Sequence, residues 1–181
     1  MPKLVLINGM PATGKSTLLR QLKQDLRGYK FFSKDDYKEH LYDILGPGDS
    51  QYLKDLSIRS VKTGYDYAKR TLAQGTNFIF ESNFASKFTL LEIQALKASV
   101  DFELYQIFLE CCPQVAVARL KQRVQQGIRH PIHLPRDQQI NSHLDYQREF
   151  QIQALKIPKT LHIQTSHNPV ELSKVLNFIN S

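Results

Sequence analysis

Residues 9–16 read Gly-Met-Pro-Ala-Thr-Gly-Lys-Ser, and this octet with its two flanks constrains the chain more than any other feature. Lys3 to Asn8 (KLVLIN) is a short apolar run ending in glycine, which predicts a buried strand. On the other side, Lys15 to Arg27 carries Leu18, Leu19, Leu22 and Leu26 at helical spacing, with Gly28 as a C-terminal stop. A strand, a turn matching GxxxxGK[ST] and a helix that begins at the lysine together make a cradle for phosphate. The glycines let successive backbone N–H groups face one point, and the positive end of the helix adds to them. The expected nucleotide contacts are therefore Gly9, Met10, Pro11, Ala12, Thr13, Gly14, Lys15, Ser16 and Thr17. Lys15 is expected to reach the β- and γ-phosphates, and the Ser16 hydroxyl to hold Mg²⁺. A glycine-rich turn with a merely exposed lysine gives no reason for Gly-Lys-Ser at a helix start.

The same alternation recurs along the chain. Tyr29 to Ser33 predicts a strand, followed by a helix to Leu45, a loop at Gly46-Pro47-Gly48-Asp49 and a long helix from about Gln51 to Gln74. Asn77 to Glu81 predicts the third strand, Lys87 to Ser99 a helix, and Asp101 to Leu109 the fourth strand. Pro113 suits the first position of a helix to about Gln126, Gly127 to Pro135 reads as a loop, and a polar helix follows. Thr160 to Gln164 is the last strand, with Asn168-Pro169 as cap and first turn of a closing helix to Asn180. Strands alternating with helices predict an α/β fold whose parallel sheet is covered on both faces. No repeat, low-complexity tract or Pro/Gly/Ser-rich linker divides residues 1–181, so a single domain is expected.

Composition excludes several classes. The longest apolar runs fall far short of the ~18 residues of a membrane span. The start MPKLVLING lacks the pattern of a secretory signal, and the only cysteines, Cys111 and Cys112, are adjacent and so form neither a disulfide framework nor a CxxC pair. A reducing cytoplasm fits. Net charge is +7, with 15 basic and 13 acidic residues in 1–110 against 9 and 4 in 111–181. From Arg119 to Arg136 there are five basic residues and no acidic one, which suits phosphate but also describes a solvated basic face.

Among nucleotide-binding chains, a GTPase needs an NKxD base-reading motif, which is absent. The two DxxG matches, at Asp25 and Asp43, fall at predicted helix ends, where glycine serves as a stop. An AAA-type motor would want more chain and an apolar strand ending in Asp-Glu, whereas the third strand ends Phe80-Glu81-Ser82-Asn83. A small kinase fits better.

GMPATGKST, then SKDDYK after the second strand, ESN after the third and the arginine-bearing helix Ala118-Arg119-Leu120-Lys121-Gln122-Arg123 are the relevant motifs. Together they resemble the small P-loop kinases that include phage polynucleotide 5′-kinase, zeta toxins and chloramphenicol phosphotransferase. The resemblance covers nearly all of the chain. It implies a three-layer P-loop sandwich, a five-stranded parallel sheet in the order 2-3-1-4-5, and a short lid near 124–136. It also implies that Asp35, first aspartate of Lys34-Asp35-Asp36-Tyr37-Lys38, takes the proton from the attacking hydroxyl, and that arginines bracket the lid and clamp phosphates. The lid candidates are Arg123 and Arg129, with Arg119 one helical turn from Arg123.

Chemistry supports Asp35 independently, because a carboxylate at the C-terminal end of a parallel strand sits where open α/β sheets bind substrates. The competing reading is that Asp35 and Asp36 only favour a helix N-terminus. Lys38 is a candidate for steering an anionic substrate or else an exposed helix lysine, and Glu81 and Asn83 are candidates for holding a Mg²⁺-bound water or a substrate hydroxyl, with a plain turn residue as the competing reading of Asn83. His130 and His133 lack a third ligand at a recognisable spacing, so lid or substrate contacts are preferred over metal. Phe31, Phe32, Phe78, Phe80, Phe102 and Phe108 are expected to be mostly core. The resulting expectation is a Mg-ATP-dependent kinase with a small-molecule or nucleic-acid 5′-hydroxyl acceptor. The alternative is an ATP-binding switch that transfers nothing.

Overall fold

Leu4, Val5, Leu6 and Ile7 in β1 (Lys3–Gly9) are all 0% exposed, which requires cover on both faces of the sheet. A computed structural model, describing the backbone of residues 1–181 and all side chains but those of Ser86 and Lys87, shows that cover. Five parallel strands, β1, β2 (Tyr29–Ser33), β3 (Asn77–Glu81), β4 (Glu103–Glu110) and β5 (Thr160–Gln164), lie in the order β2-β3-β1-β4-β5. Alternation divides the core: Leu4 and Leu6 join Phe78 and Phe80 on one face, Val5 and Ile7 join Ile79 and Ile107 on the other.

The first face is covered by α3 (Ser50–Ala73) and α4 (Ser86–Lys97), the second by α1 (Lys15–Asp25) and α8 (Leu172–Asn180). The fully buried Phe80 ring meets Phe32, Tyr65 and Phe84 edge-on at 5.3, 5.3 and 5.0 Å. Each such pair adds about 0.5–1.5 kcal/mol beyond its buried area. Gly64 permits this packing, since a Cβ there would meet the Phe80 ring at 2.3 Å. Its cost of about 1 kcal/mol in helix propensity is the lesser penalty.

Several boundaries differ from the sequence reading. β4 begins at Glu103: residues 98–100 make the turn out of α4, and Asp101 and the buried Phe102 follow it without regular structure before pairing starts. Asp49, assigned to a loop, caps α3 by accepting from the Tyr52 N–H at 2.8 Å. Residues 127–135 are not all loop. After α5 (Pro113–Gln125) comes a 3-10 turn at Pro131–His133 and a short α6 (Leu134–Asp137), each opened by a proline. The polar helix is only α7 (His143–Glu149), and residues 150–159 have no regular structure. They are tied to the sheet by Gln106 of β4, which bonds Leu155 N–H, Leu155 C=O and the Thr160 hydroxyl. Asn168-Pro169 does not cap α8, which starts at Leu172 after Glu171. Val170 packs into the core and draws residues 168–171 across the surface instead. Among the described residues no helix is long and apolar enough to cross a membrane.

Candidate active site

The loop between β1 and α1 turns every carbonyl from Gly9 to Thr13 toward a side-chain donor. The Lys15 ammonium donates to Gly9 O and Met10 O, both at 2.9 Å, and Thr13 Oγ1 to Met10 O at 2.8 Å. Tyr146 of α7 donates its hydroxyl to Pro11 O at 2.6 Å, Arg119 of α5 to Ala12 O at 3.2 Å, and Thr165 after β5 to Thr13 O at 3.0 Å. With its oxygens held outward, the loop leaves the N–H groups of Ala12 to Thr17 without a hydrogen-bond partner among the described residues. A run of free N–H groups at a helix start is an anion site.

Two backbone positions make the turn possible. Gly9 has φ 144°, and a Cβ there would meet Leu109 O at 2.4 Å, so only glycine fits. Ala12 holds φ 63°, a conformation costly for an L-residue, and the chain retains it where the loop bends. The Asn8 amide fixes the entry: its oxygen accepts from Gly9 N at 2.8 Å and from Phe84 N at 3.0 Å, joining this loop to the one after β3.

Five charged side chains, Lys15, Asp35, Glu81, Arg123 and Arg129, converge on the loop cavity, which Ser16 also helps to line. Lys15 is buried, and burial lowers its pKa against the opposing pull of Glu81 and Asp35. Glu81 is buried too. Burial raises its pKa to about 7, against the pull of Lys15 and of a 2.8 Å hydrogen bond from Ser33 Oγ. Asp35 opens α2 (Lys34–Leu45), whose cap is the Ser33 hydroxyl. Burial would raise its pKa, but Lys34, paired with it at 2.9 Å, outweighs that with help from His133 and Lys15, and the carboxyl stays well below the usual range. Its side chain keeps 33% of its surface accessible.

Asp35 also lines a second small polar cavity with Lys34, Lys38, Asn83, Arg129, His133 and Arg136. Lys38 is buried without a hydrogen-bond partner among the described residues, and burial lowers its pKa to about 8. The expected lid segment docks on α2. His133 bonds Glu39 at 2.9 Å, His130 bonds Asp43 at 3.0 Å, and Ile132 is buried with Leu41 and Leu56. Arg129 pairs with the buried Asp137. Arg123, in contrast, has no hydrogen-bond partner among the described residues and faces the loop cavity.

The structure thus brings Lys15, Ser16, Asp35, Glu81, Arg123 and Arg129 to one cavity and Asp35, Lys38, Asn83 and Arg129 to the next. His130 lines neither, because Asp43 and the Tyr42 ring hold it on the outer side of α2. Arg119 does not line the phosphate-loop cavity, although it shares with Arg123 the wall of a neighbouring one. Its guanidinium is spent on Ala12 O and, at 2.6 Å, Thr165 O, behind the loop. There it helps line a 340 Å³ cavity with Gly14, Thr17, Gln21, His167 and Pro169. Sequence reasoning missed this cavity, and also Lys34, Asn8, Tyr146 and Thr165. Lys34 stood inside the quoted SKDDYK, and nothing in the local sequence marked the other three.

Residues 4–148 match the family model described as an AAA domain (AAA_33). The chain belongs to this family. For a member of it, the single carboxylate at the end of β3 departs from the Asp-Glu expected of a motor, and solved structures similar to the chain include kinases. One is a "putative kinase" from Chloroflexus aurantiacus J-10-fl, 28% identical, with TM-score 0.88 over 99% of this chain and 97% of that one. A gluconokinase from Sinorhizobium meliloti 1021 is 17% identical, with TM-score 0.54 over 98% and 89%. A chain of the Pnkp1/Rnl/Hen1 RNA repair complex is 22% identical, with TM-score 0.56 over 87% of this chain and 50% of that one. The last two share the fold. Comparison with curated protein sequences finds no match. The family, the sheet order and these neighbours make the chain a P-loop protein of kinase-like fold.

Proposed function

We propose that the protein transfers the γ-phosphoryl group of Mg-ATP to a hydroxyl acceptor. The observation that carries this reading is the position of Asp35, in the wall shared by the phosphate-loop cavity and the second polar cavity. A hydroxyl bonded to Asp35 would face the γ-phosphate from the side opposite ADP. In the transfer the acceptor oxygen forms the new O–P bond, the bond between the γ-phosphorus and the β,γ-bridging oxygen breaks, and the hydroxyl proton passes to Asp35. Asp35 stays ionised at working pH and is a weak base, so it orients the hydroxyl first and takes the proton late. Late proton loss suits a loose phosphoryl transition state.

The free N–H groups of Ala12 to Thr17 and the Lys15 ammonium would hold the phosphates, and the 340 Å³ cavity beside Arg119 would take the base. Oxygen donors at Ser16 and Glu81 fit Mg²⁺, which prefers hard ligands and keeps several waters. When bound, the ion neutralises charge between the phosphates. Lys38 would face the transferred phosphoryl group.

Two measurements bear on these roles. Arg123→Ala is expected to cut kcat far more than ATP affinity, because an unpaired guanidinium acts where charge spreads in the transition state. A raised KM for ATP with unchanged kcat would make Arg123 a ground-state contact. Lys38 should make activity fall as pH rises through about 8, since its ammonium is lost there. The unfolded lysine stays protonated to about 10.4, so stability should rise over the same window as activity falls. Lys38→Arg keeps its charge, and its alkaline limb should move upward; an unchanged limb removes Lys38 from the site.

The reading itself is tested by incubating the protein with γ-labelled ATP and an acceptor panel of 5′-hydroxyl oligonucleotides, nucleosides, sugars and neutral alcohols. A labelled acceptor supports it. Slow ATP hydrolysis with no labelled product across the panel would favour the nucleotide-dependent switch.

A further inference from the structure

Beyond Asn83 the second polar cavity adjoins a fourth cavity, of 410 Å³, between α3 and the start of α4. Its walls are mainly apolar: Ile58, Val61, Tyr65, Phe84, Ala85 and Phe88. Ile58 and Phe88 stand 54% and 70% exposed, large apolar side chains beside an open apolar hollow. Among the described residues the charged side chains of the lining, Lys62 and Glu92, are exposed.

Among the described residues, two buried polar atoms in this wall have no hydrogen-bond partner. Tyr65, only 7% exposed, makes no hydrogen bond through its hydroxyl, although Thr89 lies close to it. The Asn83 amide makes none either, and its Oδ1 is buried. Asn83 lies in the wall common to this cavity and the one containing Asp35. Orphaned polar atoms are costly, and because neither has accessible surface in the free protein, a ligand would satisfy them once the two side chains turn toward the hollow.

Resting on the kinase reading above, we infer that this cavity holds the body of the acceptor, which is a neutral alcohol with an aromatic or branched aliphatic body. Its reacting hydroxyl reaches Asp35, and a second polar group meets the Tyr65 hydroxyl and the Asn83 amide. A sugar presents more hydroxyls than these walls can pair, and an oligonucleotide brings phosphates to a hollow without a buried cation.

Binding is measured first without ATP, so the outcome does not depend on phosphoryl transfer. Protein NMR titrations with 2-phenylethanol and 3-phenylpropane-1,2-diol are compared with glucose and adenosine. The aromatic alcohols should bind saturably, the diol more tightly, and Ser57→Phe, which fills the cavity from α3, should weaken both at least about tenfold. Filling costs the apolar contacts but leaves the phosphate loop untouched. Tyr65→Phe gives the sharper result. It should raise the melting temperature of the free protein by about 2–4 °C, on the order of one unsatisfied group removed. It should also abolish the preference for the diol.

No saturable binding of either aromatic alcohol, equal binding to wild type and Ser57→Phe, or a diol preference that survives Tyr65→Phe would overturn the inference. So would an apolar mouth covered by a second copy of the chain, seen as a dimer that the alcohols do not perturb. Preferred labelling of an oligonucleotide or sugar from γ-labelled ATP would overturn the acceptor class and leave the kinase reading standing. Alcohol binding as expected, with no labelled product from any acceptor, would support the cavity and sink the kinase reading.

Discussion

Asp35→Asn is expected to lower phosphoryl transfer about 10²- to 10⁴-fold, the range for loss of a positioned acid or base, with ATP binding retained. The amide is nearly isosteric and can still hydrogen-bond an alcohol, but it cannot take its proton. Lys34, paired with Asp35 at 2.9 Å, would lose its counter-ion and add to the cation excess in the cavity. Asp36→Asn is the control. It removes the same charge from the same helix start, where a carboxylate contributes about 0.3–1 kcal/mol of stability, and it lines neither polar cavity. Single-turnover rates with the true acceptor separate the two. Loss of activity in Asp36→Asn with Asp35→Asn unimpaired would shift the base by one residue. Full activity in both would pass the role to Glu81, whose pKa of about 7 is better matched to proton transfer.

Lys15→Ala is expected to weaken ATP binding and to slow turnover about 10²–10³-fold, the usual cost of removing one positioned donor from a charge-stabilising site. Thermal stability should move little, because two effects oppose. The variant strips Gly9 O and Met10 O of an ammonium donor, yet it also removes a desolvated charge from beside the loop. Calorimetric titration with ATP and a melting curve on the same sample distinguish loss of the site from loss of the fold. A folded Lys15→Ala protein transferring at the wild-type rate would sink the role of the loop in catalysis.

The parts of this molecule legible in its sequence are those that local chemistry determines. KLVLIN and NFIFE became strands because continuous apolar runs between turn signals have no other way to bury both faces, YKFFS and TLHIQ took the half-exposed edges of the sheet, and Pro113 began its helix as its fixed φ requires. The octet at Gly9 became the loop that the pattern specifies. What escaped notice depends on contacts between distant segments. Tyr146 and Thr165 bond the loop's carbonyls across 135 and 152 residues, and neither stands in a motif. Arg119 and Arg123 share a helix face by spacing, but Thr165 O captures the first guanidinium, and only the second faces the phosphate cavity. Asn168-Pro169 reads as a helix start, and it failed because burial of Val170 outweighed a cap.

Asn8 joins the loops at the two ends of the proposed site. One amide oxygen accepts from Gly9 N in the phosphate loop and from Phe84 N in the loop that walls the apolar cavity, while its NH₂ is anchored to Gln106 and Gln153. Neither loop can shift without straining the bond that holds the other. Whatever ligand immobilises the first lowers the entropic penalty of immobilising the second, and by linkage the favour is returned in equal measure. Aspartate there would keep the acceptor and lose both anchoring donors. If the two ends of the site bind as proposed, a single side chain, invisible as a motif, would make occupancy at either end a message to the other.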